Sequence, residues 1–265
     1  MAFFQREEEL GALGEPIRQS LGMRTDPQAT PLDRWLLAHR RQAIAVATVL
    51  ALAVALCLAV IEVHGSFPLD SRFIHWVERR EPPSLLRLPA AAFTALADPL
   101  VACVSVAIAC VAVERLIGPR HAVLVLAAVA AVAVNAIVKT IVGPTPLQVL
   151  KEGPFASSNF PSGHVVYATA LFGTLAWFAL ARGRRGVFAA MLALVIGMGP
   201  FRVIAGAHWP SDVLAGYALG LAWAIVVLVL GIRWATYEET APPEEGDEPS
   251  APIALTQRSA AFPSP

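Results

Sequence analysis

Six long apolar runs constrain this chain more than any other feature. They cover residues 43–61, 88–113, 122–138, 165–181, 187–204 and 213–232. A bilayer's hydrocarbon core is about 30 Å thick, and an α-helix needs about 20 apolar residues to cross it. Lipid offers the backbone no hydrogen-bond partner, so each run has to pair its own N–H and C=O groups as a helix does. The chain is 56% hydrophobic and only 15% charged, whereas a soluble domain carries roughly a quarter charged residues. The expected fold class is all-α: a polytopic membrane protein with six transmembrane helices in a bundle.

The flanks divide the chain. Residues 1–42 are polar and mixed in charge, with a short helix expected over 7–21. Residues 43–234 form the membrane domain. Residues 235–265 are acidic at first and rich in proline, a composition that leaves a tail disordered. The first run starts too far from Met1, and is too long, for the core of a cleavable signal peptide. Asp98-Pro99 interrupts the second run as a helix start does, with Asp as cap and Pro in the first turn, so the part before it is expected at the interface. The segment 70–80 sets Phe73, Ile74, Trp76 and Val77 among charges and fits either an interfacial helix or a polar loop. Cys57, Cys103 and Cys110 all fall inside apolar runs and read as small buried hydrophobes, not as a disulfide framework or a metal site.

The formal net charge is zero, which leaves no global field to attract nucleic acid. Six spans put both termini on one side. Thirteen of the 20 Lys and Arg residues fall in the segments on that side. Positively charged loops stay in the cytoplasm. The expectation is therefore a multi-pass plasma-membrane protein with both termini cytoplasmic and the loops after spans one, three and five outside.

Two motifs fall on that outer face. Pro161-Ser162-Gly163-His164 precedes the fourth run. A helix start offers free N–H donors and a favourable dipole to an anion. Ser162 adds a hydroxyl, Gly163 permits close backbone approach, and His164 can give a proton near neutral pH. In the second motif Pro210 is a first-turn proline, His208 sits just before the sixth run and Asp212 lies in its first turn. A carboxylate there can hold one ring nitrogen and leave the other free to attack. Arg202 and Lys139 end the fifth and third runs on the same face. A guanidinium grips phosphate in a fork. Taken singly, each has a plainer reading: a capped helix start, a helix-start carboxylate, a snorkelling arginine or lysine. Their convergence on one membrane face favours a phosphate-bearing lipid, because ionisable groups near lipid are expensive.

These residues resemble the type 2 phosphatidic acid phosphatase family, integral-membrane relatives of vanadium haloperoxidases and bacterial acid phosphatases. That family carries a Lys followed by Arg-Pro, then Pro-Ser-Gly-His, then Ser-Arg with a downstream His and Asp. The second signature is complete at 161–164, and Arg202, His208 and Asp212 match the third in identity and spacing, as does the flanking stretch 206–217 that ends in Tyr217. The resemblance implies that His208 attacks phosphorus to form a phosphohistidine, Asp212 holds its ring and His164 protonates the leaving oxygen. Lys139, Arg202, Ser162 and Gly163 would bind the phosphoryl oxygens. No metal or other cofactor is implied, since the cationic side chains supply the charge stabilisation. The implied partner is a membrane lipid phosphate or diphosphate: phosphatidic acid, phosphatidylglycerol phosphate or polyprenyl diphosphate.

The chain departs from the family in two places. Phe201 stands where the third signature begins with Ser, and no arginine follows Lys139 in the first. Lys151 is a candidate replacement. The missing donor leaves open a catalytically weakened lipid-phosphate binding or transport protein of the same fold; a phosphotransferase, which shares the covalent step, is a further alternative.

Overall fold

The computed structural model describes residues 29–64, 70, 84–143 and 160–237. The helix expected over 7–21, the C-terminal tail, Lys151 and all of the segment 70–80 except Asp70 lie outside the described residues. What is described is helical: α1 (Pro31–Ala38), α2 (Arg40–His64), α3 (Ser84–Ala95), α4 (Pro99–Leu116), α5 (Pro119–Val129), α6 (Ala131–Val142), α7 (Gly163–Ala181), α8 (Arg185–Ile204) and α9 (Pro210–Tyr237). Among the described residues, six helical stretches are long and apolar enough to cross a membrane: Arg40–Ile61, Pro99–Leu116, Pro119–Val142, Gly163–Ala181, Arg185–Ile204 and Pro210–Ile232. The third combines α5 and α6. The six expected spans are therefore present, in a multi-pass helical membrane protein.

The boundaries differ in instructive ways. The second apolar run divides into α3 and α4 at the turn before Pro99, as Asp98-Pro99 suggested. Asp98 sits at the cap position of α4, but its side chain makes no capping hydrogen bond. Lys139 does not close the third span; α6 continues to Val142 before Gly143 turns the chain at φ +68°. The cysteines are not buried as expected: Cys103 is exposed, Cys57 and Cys110 half-buried. Lipid tails are as apolar as a protein core, so an outward-facing thiol on a span needs no protein cover. Leu52, Leu56, Ile108 and Leu221 face outward on the same ground.

The central helix is α7. Of its span window 67% is buried, against 11% for α4 and α8. Its apolar residues run all round, as suits a helix with protein on every side. Gly216 and Gly220 of α9 lie one turn apart against it. A Cβ on Gly216 would stand 3.0 Å from the carbonyl oxygen of Ser162 and 2.9 Å from Cβ of Val165. On Gly220 it would stand 2.9 Å from the Val166 carbonyl and 2.8 Å from Cβ of Thr169. Small residues four apart let two helix backbones meet, which is how helices associate where water does not drive them together. The Trp223 indole of α9 also donates to the Ala127 carbonyl of α5 at 2.8 Å.

Two short helices attach to this frame. In α1, Thr30 and Asp33 form a reciprocal capping box, and Asp33 also accepts from the Trp177 indole of α7 at 3.1 Å. In α3, Phe93 stacks on Phe201 of α8 with ring centroids 4.7 Å apart. The same Phe93 ring fills the space over Gly197, where a Cβ would meet it at 2.6 Å.

The glycine contact yields a test. Gly220→Ala should lower the unfolding temperature in detergent by overpacking, at a cost of about 1–3 kcal/mol. Gly173→Ala should not, since a Cβ there meets nothing within 4 Å. Equal thermal melts for the two variants would contradict the close α7–α9 contact.

Candidate active site

Successive spans run in opposite directions, so the end of α6, the start of α7, the end of α8 and the start of α9 share one end of the bundle. Lys139, Ser162, His164, Arg202, His208 and Asp212 all sit at these ends. Lys151 lies outside the described residues.

The α9 start is built locally. Pro210 begins the helix, and the carboxylate of Asp212 accepts the main-chain N–H of Trp209 at 2.9 Å. A carboxylate in the first turn taking the N–H before the helix is half of a capping box. The same Oδ2 lies 3.5 Å from Nδ1 of His208, and both side chains are buried. This places a carboxylate beside one ring nitrogen, as a contact and not a short hydrogen bond. The approach of α7 adds a main-chain bond: the Ser162 N–H donates to the Asp212 carbonyl at 3.0 Å. The N–H of Ser162 is thus committed to the frame, and the helix start presents the donors beyond it.

Arg202 is buried at the end of α8. Its Nη1 donates to Oγ1 of Thr94 on α3 at 3.1 Å. The His164 ring hydrogen-bonds to the main chain of the same Thr94. Lys139 is half-buried and within electrostatic reach of Asp212 and Arg202. His164 is within reach of Arg202, His208 and Lys139.

Burial holds the His208 imidazole below its ordinary pKa, against the opposing pull of Asp212, with the Arg202 and Lys139 charges adding to the depression. The ring is therefore neutral at neutral pH, the form that can attack. Several buried polar atoms here have no protein partner: Ser162 Oγ, His164 Nε2 and Arg202 Nε. Asn135, buried one turn before Lys139, leaves its Oδ1 unpaired, and its Nδ2 would stand 3.1 Å from a Cβ on Gly163. Buried polar groups are normally satisfied, so a group of unsatisfied ones at a single locus marks a place where a polar ligand binds.

Sequence reasoning missed four contributors. Asp70, 2% exposed, accepts from Ser211 N at 3.1 Å and from Ser211 Oγ at 2.5 Å. Its burial raises its pKa, with the Asp212 charge adding to this and the two Ser211 hydrogen bonds opposing it. Thr94 anchors two site residues, and nothing in its apolar surroundings signals that. Asn135 was findable as a polar residue inside an apolar run, four positions before Lys139. The Gly216/Gly220 pair was findable as a small-residue repeat in an apolar helix.

The fold and the gathered side chains define a six-span helical membrane protein with a cationic, histidine-bearing site at one end of its bundle. Residues 120–235 match the model of the PAP2 superfamily, the segment that carries the motifs on which the resemblance rests. The chain is 39% identical over 91 residues to the Lipid A 1-phosphatase of Rhizobium johnstonii, covering 34% of this chain and 35% of that protein. It is equally similar over 91 residues to the Lipid A 1-phosphatase of Rhizobium etli, covering 37% of it. The match spans about a third of the length of these curated relatives. The fold is similar to that of a transmembrane PAP2 type phosphatidylglycerolphosphate phosphatase from Bacillus subtilis, with a TM-score of 0.57 and 20% identity, covering 68% of this chain and 93% of that one.

Asp70→Ala should leave both Ser211 donors without an acceptor, at a cost of about 1–3 kcal/mol for the buried groups. Thermal unfolding checks this, and the loss should shrink in a Ser211→Ala background, where one donor is already gone.

Proposed function

We propose that the protein hydrolyses a lipid phosphate or diphosphate through a phosphohistidine on His208. The observation that carries this reading is the set of unpartnered buried groups, Ser162 Oγ, His164 Nε2 and Arg202 Nε, grouped about His208. A phosphoryl group has oxygens to accept from each of them. The PAP2 match over residues 120–235 supports the same class of chemistry.

In this reading Nε2 of neutral His208 attacks phosphorus while Nδ1–H faces Asp212. Lys139, Arg202, Ser162 and the Gly163 helix start bind the phosphoryl oxygens. The P–O bond to the lipid breaks as His164 gives its Nε2 proton to the leaving oxygen. The Thr94 main-chain bond fixes the ring for that transfer. Water then attacks the phosphohistidine, His164 takes the proton, and inorganic phosphate leaves with His208 restored. Charge stabilisation comes from the cationic side chains and the helix start.

The lipid part of the substrate has a place to lie. A groove of about 380 Å³ is lined by Thr94, by the charged Arg87 and Asp98, and by apolar residues that include Leu86, Ala90 and Ile204. Its mostly apolar wall suits hydrocarbon next to a polar head. Phosphatidic acid, phosphatidylglycerol phosphate, polyprenyl diphosphate and lipid A phosphates all present a phosphoryl group on such a body. By the charge bias of the loops, both termini are cytoplasmic and the site opens to the extracytoplasmic leaflet. Residues 43–234 then act as one catalytic membrane domain between an N-terminal segment and a tail.

A panel of these lipids, assayed with purified protein in detergent and EDTA, tests the reading. Wild type should release phosphate and His208→Ala should not. Arg202→Ala should slow turnover by about 100- to 1000-fold, the usual cost of one transition-state donor. Equal background release from wild type and His208→Ala would favour the binding or transport alternative, and product transfer to added alcohols would favour the phosphotransferase.

Neutral His208 is the attacking form, so activity should rise with pH through its pKa. Burial lowers that pKa from 6.5. The acidic limb of kcat/KM should therefore have its midpoint below pH 6.5, and a midpoint above that value would contradict a buried neutral nucleophile.

A further inference from the structure

Pro200 lies inside α8, two residues before Arg202. Proline has no N–H, so it cannot bond to the carbonyl four residues earlier, that of Ile196. A carbonyl freed within a membrane span has no water to turn to. Here the Tyr217 hydroxyl of α9 supplies the partner: it lies 2.8 Å from the Ile196 oxygen and 3.0 Å from the Val195 oxygen. It also accepts the Gly199 N–H at 3.0 Å. One hydroxyl thus meets the freed carbonyl and the last N–H of the turn that precedes Pro200. Gly199 admits it: a Cβ there would stand 2.6 Å from the Tyr217 oxygen and 2.5 Å from Cγ1 of Val213.

The consequence reaches Arg202. Its guanidinium is fixed at one end by Thr94, but where its Cα sits depends on the direction in which α8 continues past Pro200. Tyr217 stands five residues beyond Asp212 on the helix that carries the orienting carboxylate. The hydroxyl therefore ties the arginine's helix to the helix of the nucleophile's partner. We propose that Tyr217 is a positioning residue: its hydroxyl, by capping the carbonyl that Pro200 leaves unpaired, sets the aim of Arg202 relative to His208. The inference rests on Arg202 binding a phosphoryl group.

The test is a double-mutant cycle in the full chain, purified in detergent. Tyr217→Phe removes the hydroxyl and keeps the ring. Pro200→Ala returns an N–H that can pair Ile196 within the helix. Misplacing a binding group by about 1 Å can cost up to roughly a hundredfold, so kcat on a lipid phosphate should fall about tenfold in Tyr217→Phe. KM should stay within about twofold, since the defect is expressed in the transition state. The pH profile should not move, because Tyr217 does not touch either histidine. Pro200→Ala should lose activity too, and adding Tyr217→Phe to it should cost little more, because both changes act through one kink.

Unchanged kcat in Tyr217→Phe, a rise in KM alone, or losses that multiply in the double variant would each overturn the proposal. Orthovanadate, which mimics the five-coordinate transition state, gives a reading that needs no turnover. It should protect wild type against thermal unfolding more than it protects Tyr217→Phe, and equal protection also overturns the proposal. A wild type that releases no phosphate would sink the phosphatase reading by itself, and the orthovanadate comparison would still decide the role of Tyr217.

Discussion

The close approach of α9 to α7 is the contact on which the rest of this molecule depends. Two glycines one turn apart remove the side chains that would hold the helices apart. That contact sets the register between the two helices. With the backbones touching at Ser162 and Gly216, the Ser162 N–H reaches the Asp212 carbonyl. The start of one helix is thereby bonded to the first turn of the other. Each of these starts carries one histidine motif. The separation of the two motifs in sequence is erased by a contact that involves no charged side chain.

A cluster of cations and imidazoles this close to lipid needs structural support. Asp70, from outside the apolar helices, takes both Ser211 donors at the α9 start. Thr94, from the short helix α3, holds Arg202 through its side chain and His164 through its main chain. Those supports are neutral hydroxyls, main-chain groups and one buried carboxylate set against a helix start. His208 gains its neutrality from the same dryness that makes the cations costly. Burial thus acts twice, penalising stray charge and favouring the neutral ring.

How much of this could be read in the sequence depends on range. The spans were legible because lipid imposes one length and one composition on any helix that crosses it. The placement of His164, Arg202, His208 and Asp212 at one end of the bundle was legible because their spacing sets them at span ends, where a charge has a reason to be. Asp70 was not, because its meaning lies in Ser211, 141 positions away. Thr94 was not, because threonine in an apolar run has no signature of its own. The cysteines were misread because burial by protein and burial by lipid give the same sequence pattern. Phe201 read as a departure from the family signature; in the structure its ring stacks on Phe93 and anchors α3. The residue that breaks the pattern is the one that docks the helix carrying Thr94.

That docking bears on the arginine absent after Lys139. With one cation fewer, the charge on each remaining one matters more. A carboxylate partner would fix Arg202 firmly, but it would also neutralise the charge the guanidinium has to offer a phosphoryl group. The Thr94 hydroxyl holds Nη1 as a neutral acceptor at 3.1 Å and leaves Nε unspent. Geometry is fixed while the positive charge is kept. Phe201 in place of the usual serine thus removes a small polar residue beside Arg202, and through Phe93 it brings in a helix whose threonine positions the arginine without quenching it. In the proposed reaction, where transition-state charge is met by preorganised donors, that exchange makes the remaining guanidinium worth more than it would be in a salt bridge.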